Sequence, residues 1–437
     1  MAVRTREAAL RGAVLSTWVP RAKRRHMAQA LELVRKDQRT PDTQAITLVS
    51  AAHFVSHFYI LLLPPLFPFV RAEYGVSYTD LGIALAAFNI VSAGLQTSAG
   101  FLTDRIGAPT VLVGGLLLGA GAFALAGLVP SFWFLVAMFA IAGLGNTVYH
   151  PADYSILSHR VSPQRMGHAF SMHTFAGMLG SAVAPPTLLV LQAAVGWRGA
   201  FLAAALLGAI AALIMVFKRD ALGRQISPAR SRPPQSGRDG AGWRVLLSAP
   251  LLMNLVFYIL LAVSSGGIQN YSVVALGALY ATSLSVANTA LAGYLLMLSI
   301  GVLLGGFLAS RTQRHDLVAV VGLAVVAAVV LVVGLLGLGG ALLIAIMAFG
   351  GFFAGLIMPS RDMIVRALAP PGSFGKVFGF VTTGFNLGGI ISPLLFGWLM
   401  DQGHPRAIFL TAAACTLLSI PTVISFSGLR SSERSPA

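Results

Sequence analysis

Apolar residues fall along this chain in long uninterrupted blocks separated by short polar or basic turns. They show neither the alternation of a half-buried strand nor the stripe of a surface helix. A helix rises about 1.5 Å per residue, so a block of about 20 apolar residues matches the hydrocarbon thickness of a bilayer. The pattern predicts spanning helices near residues 45–70, 80–102, 110–129, 132–157, 166–194, 199–217, 250–277, 287–310, 317–337, 341–367, 376–400 and 407–428.

The blocks also repeat. Gly143 to Leu202 aligns without a gap on Gly351 to Leu410, with identities that include Gly143/Gly351, Pro151/Pro359, Gly167/Gly375, Thr174/Thr382, Gly180/Gly388, Pro185/Pro393, Arg198/Arg406 and Phe201/Phe409. Both copies run in the same direction. The expected fold is therefore an all-α membrane protein of 12 transmembrane helices in two pseudo-symmetric six-helix bundles, with the solute site between the repeats near the midplane.

Composition and charge sharpen this picture. Of 437 residues, 56% are hydrophobic and 10% charged, and the mean hydropathy is +0.80, more apolar surface than a soluble domain can hide. The formal charge of +16 suggests nucleic acid only until its distribution is read. With the N-terminus inside, every lysine and arginine except Arg71, Arg198 and Arg406 falls on the inner side, which predicts both termini in the cytoplasm and needs no nucleic-acid partner. The expected organisation is a basic cytoplasmic extension over 1–44, bundles over 45–217 and 250–428, a cytoplasmic linker over 218–249 and a tail over 429–437. The linker is marked by Pro228, Arg230, Pro233, Pro234 and Gly237. No cleavable leader is visible, so the first helix is read as a retained anchor. The single cysteine, Cys415, excludes an internal disulfide and a cysteine metal cage.

The loop after the second helix reads Gly100-Phe101-Leu102-Thr103-Asp104-Arg105-Ile106-Gly107, and at an offset of 206 the second half carries Gly306-Phe307-Leu308-Ala309-Ser310-Arg311. Gly100, Asp104, Arg105 and Gly107 resemble the signature of the major facilitator superfamily, although Ala108 and Pro109 stand where bases are usual. The resemblance covers roughly residues 45–428. It implies that this loop is a conformational latch, a role carried to Gly100, Asp104, Arg105, Gly107 and Arg311. Within the superfamily, the stretches Gly143 to Pro151 and Gly177 to Pro185 are similar to the fosmidomycin-resistance group of efflux proteins.

Pro151, Pro185, Pro359 and Pro393 each remove a backbone hydrogen bond and predict helix bends at equivalent depths of the two halves. Glycines beside Pro185 and Pro393 are read either as places where a bundle opens or as ordinary close packing. A Gly-rich, proline-ended fifth helix is associated with antiporters in the superfamily; the match here is partial, because Ala184 replaces a glycine.

Polar groups inside the spans are costly and ask for a partner or a wet cavity. His53 and His57 lie four apart on one helix face, roughly 12 and 18 Å into the first span, close to the midplane. They are read as a proton or substrate contact or as a packed interior pair. A metal site completed by His150 and His173 is a third reading, which no HExxH motif supports. His150 and Asp153 in the fourth helix, and Arg361, Asp362 and Arg366 in the tenth, are expected near the cytoplasmic surface, either as interface anchors or as an inner gate in which Asp153 and Asp362 exchange arginine partners. Asn89 and Asn386 fall near mid-depth, where an amide binds solute or bridges helices. The chain lacks a G-x-x-x-x-G-K-[ST] phosphate loop, and Gly143-x-Gly145 lacks the third glycine of a dinucleotide site.

The resulting expectation is a secondary transporter of the bacterial inner membrane, driven by a gradient, that exports a small amphiphilic or anionic solute in exchange for protons. It is expected to be a monomer without cofactor or metal and not an enzyme. The alternatives are a proton-linked importer of a small organic acid and, from another class, a membrane sensor or scaffold that keeps the fold without transport.

Overall fold

The computed structural model describes residues 42–223, 247–368 and 374–433. The expected basic extension and nearly all of the linker lie outside the described residues. The first crossing, α1, is helical over 42–60, passes through a short turn at Pro64–Leu66 and ends as the helix Phe67–Tyr74. The Asp42 carboxylate accepts from the Ser162 hydroxyl at 2.7 Å and the Ser162 N–H at 3.3 Å, which ties this part of the helix to the turn at Ser162.

The remaining helices are α2 (Tyr78–Ile106), α3 (Ala108–Leu128), α4 (Phe132–Asn146 continued by Tyr149–Arg160), α5 (166–195), α6 (197–217), α7 (Ala249–Tyr280), α8 (Leu284–Arg311), α9 (His315–Leu335), α10 (Gly340–Leu368), α11 (Phe374–Asp401) and α12 (Pro405–Glu433). Among the described residues eleven segments are long and apolar enough to span, and one of them, Met166–Phe217, is 52 residues long. A straight helix of that length would reach about 78 Å, far beyond a bilayer core of about 30 Å. It turns at Gly196, whose φ of 75° and ψ of 167° only glycine adopts readily. Both ends of the segment return to one side: Arg165 lies 3.8 Å from Asp42, and Arg160 donates to the carbonyls of Asp220 at 2.7 Å and Ala221 at 2.9 Å. Twelve crossings follow, as expected.

Pro151 has the predicted effect on α4, which breaks over Thr147 and Val148 because the proline takes the N–H that would bond the Thr147 carbonyl. At Pro185, Pro359 and Pro393 the helix runs on through the proline. Three helices that start at the end away from Asp42 open on serine caps: Ser77 forms a capping box with Asp80, and Ser131 and Ser283 accept the N–H groups of Phe134 and Val286.

The repeat seen in sequence recurs in the packing. A side chain at Gly143 would collide with the Phe88 carbonyl of α2, and one at the equivalent Gly351 with the Tyr294 carbonyl of α8. Gly180 of α5 meets the Phe54 carbonyl of α1 in the same way that Gly388 of α11 meets the Ile259 carbonyl of α7. Small residues let these backbones touch, which is how helices hold together where lipid removes the hydrophobic drive. Helices α1–α6 form one bundle and α7–α12 the other, meeting where α2 packs on α11 and α8 on the α5–α6 segment.

Candidate functional site

The end carrying Asp42, Arg160 and Arg311 is termed the basic end. About 10 to 23 Å in from it, counting helical rise, α1, α4 and α5 bring four histidines and a carboxylate together. The His53 ring stacks on His173 with centroids 3.8 Å apart and meets His57 and His150 edge-on at 4.6 and 5.4 Å. His53 Nδ1 lies 2.8 Å from the His173 carbonyl, His57 Nδ1 is 3.2 Å from the Ser181 hydroxyl, and His173 Nε2 is 2.9 Å from an Asp153 oxygen. Gly177 makes the cluster possible: a Cβ there would lie 2.6 Å from the His53 ring and 2.9 Å from His57.

Burial within the cluster is graded. Asp153 is fully buried and His173 is 1% exposed, whereas His150 and Tyr154 are exposed, the latter at 45%. Asp153 is thus buried among side chains rather than set at a surface, and in this conformation its partner is a histidine. Neither the anchor nor the gate reading allowed for the return of α5, which brings His173 under α4. Four buried polar atoms in this one cluster lack a partner among the described residues: His53 Nε2, Tyr149 Oη, Asp153 Oδ1 and His173 Nδ1. Buried polar atoms ordinarily find a partner in protein or ordered water. No group of three or more His, Cys, Asp or Glu able to hold a metal ion occurs among the described residues.

In the second bundle the repeat offset of 208 carries Asp153 to Arg361 and Tyr154 to Asp362. Arg361, also expected near the surface, is 8% exposed. Its guanidinium lies over the rings of Tyr258 of α7 and Phe385 of α11 at 4.9 and 5.1 Å and pairs with Asp362 at 2.8 Å. Tyr258 and Phe385 lie about 13 and 16 Å in from the starts of their helices, so this site and the histidine cluster share a level. The Asp362 charge is within electrostatic reach of Tyr154 across the bundle boundary.

The other expected residues lie elsewhere. Asn89 bridges the bundles near mid-depth, donating to the Leu85 and Gly389 carbonyls at 2.9 Å each; Asn386 is half-buried on α11. At the basic end, Asp104 and Arg105 are exposed, Gly107 turns the chain at φ 93°, and Arg311 lies over the Phe307 ring at 4.1 Å. The structure does not bring these latch residues to the histidine cluster. A cavity of about 390 Å³ opens beside α1 between α5 and α6, but its walls, including Phe54, Leu207 and Ile214, carry no ionisable group.

Sequence reasoning missed the tie at the opposite end. The Asp401 carboxylate, at the end of α11, accepts the N–H groups of Tyr78 and Thr79 at 2.8 Å each and the Thr79 hydroxyl at 2.5 Å, joining the bundles at the start of α2. Tyr271 adds a bond to the Pro393 carbonyl at 2.6 Å beneath it. No motif marks Asp401, and only the polar break after α11 hints at it.

The profile of the Major Facilitator Superfamily matches residues 49–285 and 259–436. The chain is 27% identical to the probable sulfoacetate transporter SauU of Cupriavidus necator over 77% of its length and 82% of that protein. It is 22% identical to the fosmidomycin resistance protein of Escherichia coli over 86% of its length and 91% of that protein. The fold resembles a bacterial homolog of the human lysosomal transporter Spinster in an inward-facing, unoccupied conformation, with a TM-score of 0.71, 15% identity and coverage of 89% of this chain and 98% of that one. It also resembles the nucleoside transporter NupG, with a TM-score of 0.72, 13% identity and coverage of 88% and 99%.

Proposed function

The chain belongs to the major facilitator superfamily of membrane transporters, and we propose that it exports a small amphiphilic or anionic solute in exchange for protons by rocking its two bundles about the site between α4 and α10. The observation that carries this reading is the His173–Asp153 pair, buried in a span with unpaired atoms around it and His150 on its exposed side. Ionisable groups are retained inside a membrane where they move charge or bind solute. Histidine and carboxylate side chains are the kind that form proton relays inside membrane carriers.

The positive-inside rule makes the basic end cytoplasmic, with both termini inside the bacterial inner membrane. In this conformation the bundles are tied at the outer end through Asp401, while Asp104 and Arg105 are disengaged. The latch these two form belongs to the opposite access state. The protein works as a monomer, without cofactor.

A second reading, proton-linked uptake of a small organic acid, is favoured by the buried Arg361 and by the sulfoacetate relative. Proteoliposomes loaded with a pH-sensitive dye separate the two. Under the export reading, fosmidomycin or another drug-like solute moves protons opposite to itself. Under the uptake reading, sulfoacetate carries protons in its own direction. A dye signal that ignores every solute while flux proceeds would refute proton coupling.

A further inference from the structure

We propose that Arg361 is the recognition residue for an oxyanion headgroup of the transported solute, a carboxylate, sulfonate or phosphonate, and that Asp362 is a tethered stand-in that the solute displaces. The inference rests on the transporter reading above and specifies the chemistry of its substrate.

The pairing of Arg361 with its own neighbour is geometrically poor. Adjacent residues on a helix do not face each other, so the guanidinium must fold back to reach. Arg361 Nε at 2.9 Å and Nη2 at 2.8 Å both donate to the same oxygen, Asp362 Oδ1, and the Tyr258 hydroxyl donates to it as well at 3.3 Å. Asp362 Oδ2 accepts no hydrogen bond from a described residue. Guanidinium is matched by two parallel bonds to two oxygens, the arrangement a free carboxylate, sulfonate or phosphonate offers and Asp362 does not.

The rest of the site is fixed as a receptor would be. Tyr258 and Phe385 hold the guanidinium plane between α7 and α11, with its charge buried in the span. Asp362 is 43% exposed, so when displaced it turns into water and keeps its charge. Across the boundary, exposed His150 and Tyr154 present an imidazole and a phenol from the first bundle. Alternating access requires a solute to meet both bundles, and these two are polar groups that the first bundle exposes at this depth.

Two conservative substitutions have opposite expected signs. Arg361→Lys keeps the charge but loses the fork; Asp362→Asn removes the competitor but keeps the shape. Thermal-shift titration of the purified full-length protein in detergent, with sulfoacetate, methylphosphonate and propionate as probes, should show Arg361→Lys weakening the best-bound anion about tenfold or more and Asp362→Asn tightening it several-fold. If the ion pair were only structural, both substitutions would weaken binding alike, and that result overturns the proposal. It also falls if the wild type binds none of the three at 10-fold excess over about 1 mM, a weak affinity for a site of this size. Should Arg361→Lys fail to fold, the sign of Asp362→Asn decides. Flux of an uncharged solute without anion binding would sink this inference and leave the transporter reading intact; anion binding without any flux would do the reverse.

Discussion

Replacing Asp401 with alanine should release the outer tie and shift the protein toward the state open at that end. The start of α2 has orphan N–H groups, as every helix does. Ser77 satisfies that of Asp80 at 3.0 Å, and Asp401 takes those of Tyr78 and Thr79 from across the bundle boundary. Loss of a helix cap costs about 0.5–2 kcal/mol, and the exposed position of Asp401 argues for the middle of that range. Because the contact spans both bundles, its loss destabilises only the state closed here, and about 1 kcal/mol changes the ratio of states about fivefold. Asp401→Asn, which keeps an acceptor oxygen but loses the charge, should give about half the free-energy effect. Spin labels on Ala72→Cys and Ser285→Cys, exposed at this end of opposite bundles, report the opening in a Cys415→Ala background. Pulsed electron-electron distance measurements should show the longer-distance population rising about fivefold relative to the shorter one. An unchanged distribution in Asp401→Ala would refute the reasoning that this cap closes the outer gate.

The remaining expectations concern the latch, the topology and the histidines. Asp104→Asn should lower flux strongly while leaving folded protein in the membrane; normal flux at normal expression would show that the loop is only a structural relic. Ser236→Cys should be shielded from an impermeant maleimide in intact cells, whereas Gly403→Cys should label, and labelling of the former from outside would invert the topology. His57→Gln, which loses a ring whose Nδ1 faces Ser181, should weaken proton-driven accumulation less than loss of Asp153, since His57 lies outside the His173–Asp153 pair; an equal or larger defect would move the coupling role to His57.

The helices were legible because hydropathy blocks and bilayer thickness are both simple lengths, and the two bundles because glycines such as Gly143 and Gly351 keep equivalent packing duties. His53 and His57 announce themselves by spacing on one helix. Their meeting with His173 does not, because it depends on how closely α5 approaches α1 at Gly177, a long-range fact. Asp153 and Arg361 were expected near an interface from depth alone, but α4 and α10 end within three residues of the expected 157 and 367, and lateral packing, of Asp153 on His173 and of Arg361 on Tyr258 and Phe385, is what buries them. The Asp401 tie was unreadable, since a carboxylate at a helix end has no sequence signal for which helix start it will cap.

Proton coupling through the buried His173–Asp153 pair, as proposed, is tested most directly by uphill solute accumulation in proteoliposomes under an imposed pH gradient, with wild type and Asp153→Asn compared side by side. Asn keeps the size and one acceptor for His173 but cannot hold the charge on which proton exchange turns. The wild type should accumulate solute only while the gradient lasts, and Asp153→Asn should equilibrate and exchange solute without accumulating it. Accumulation by Asp153→Asn at the wild-type level would contradict the assignment of coupling to this pair.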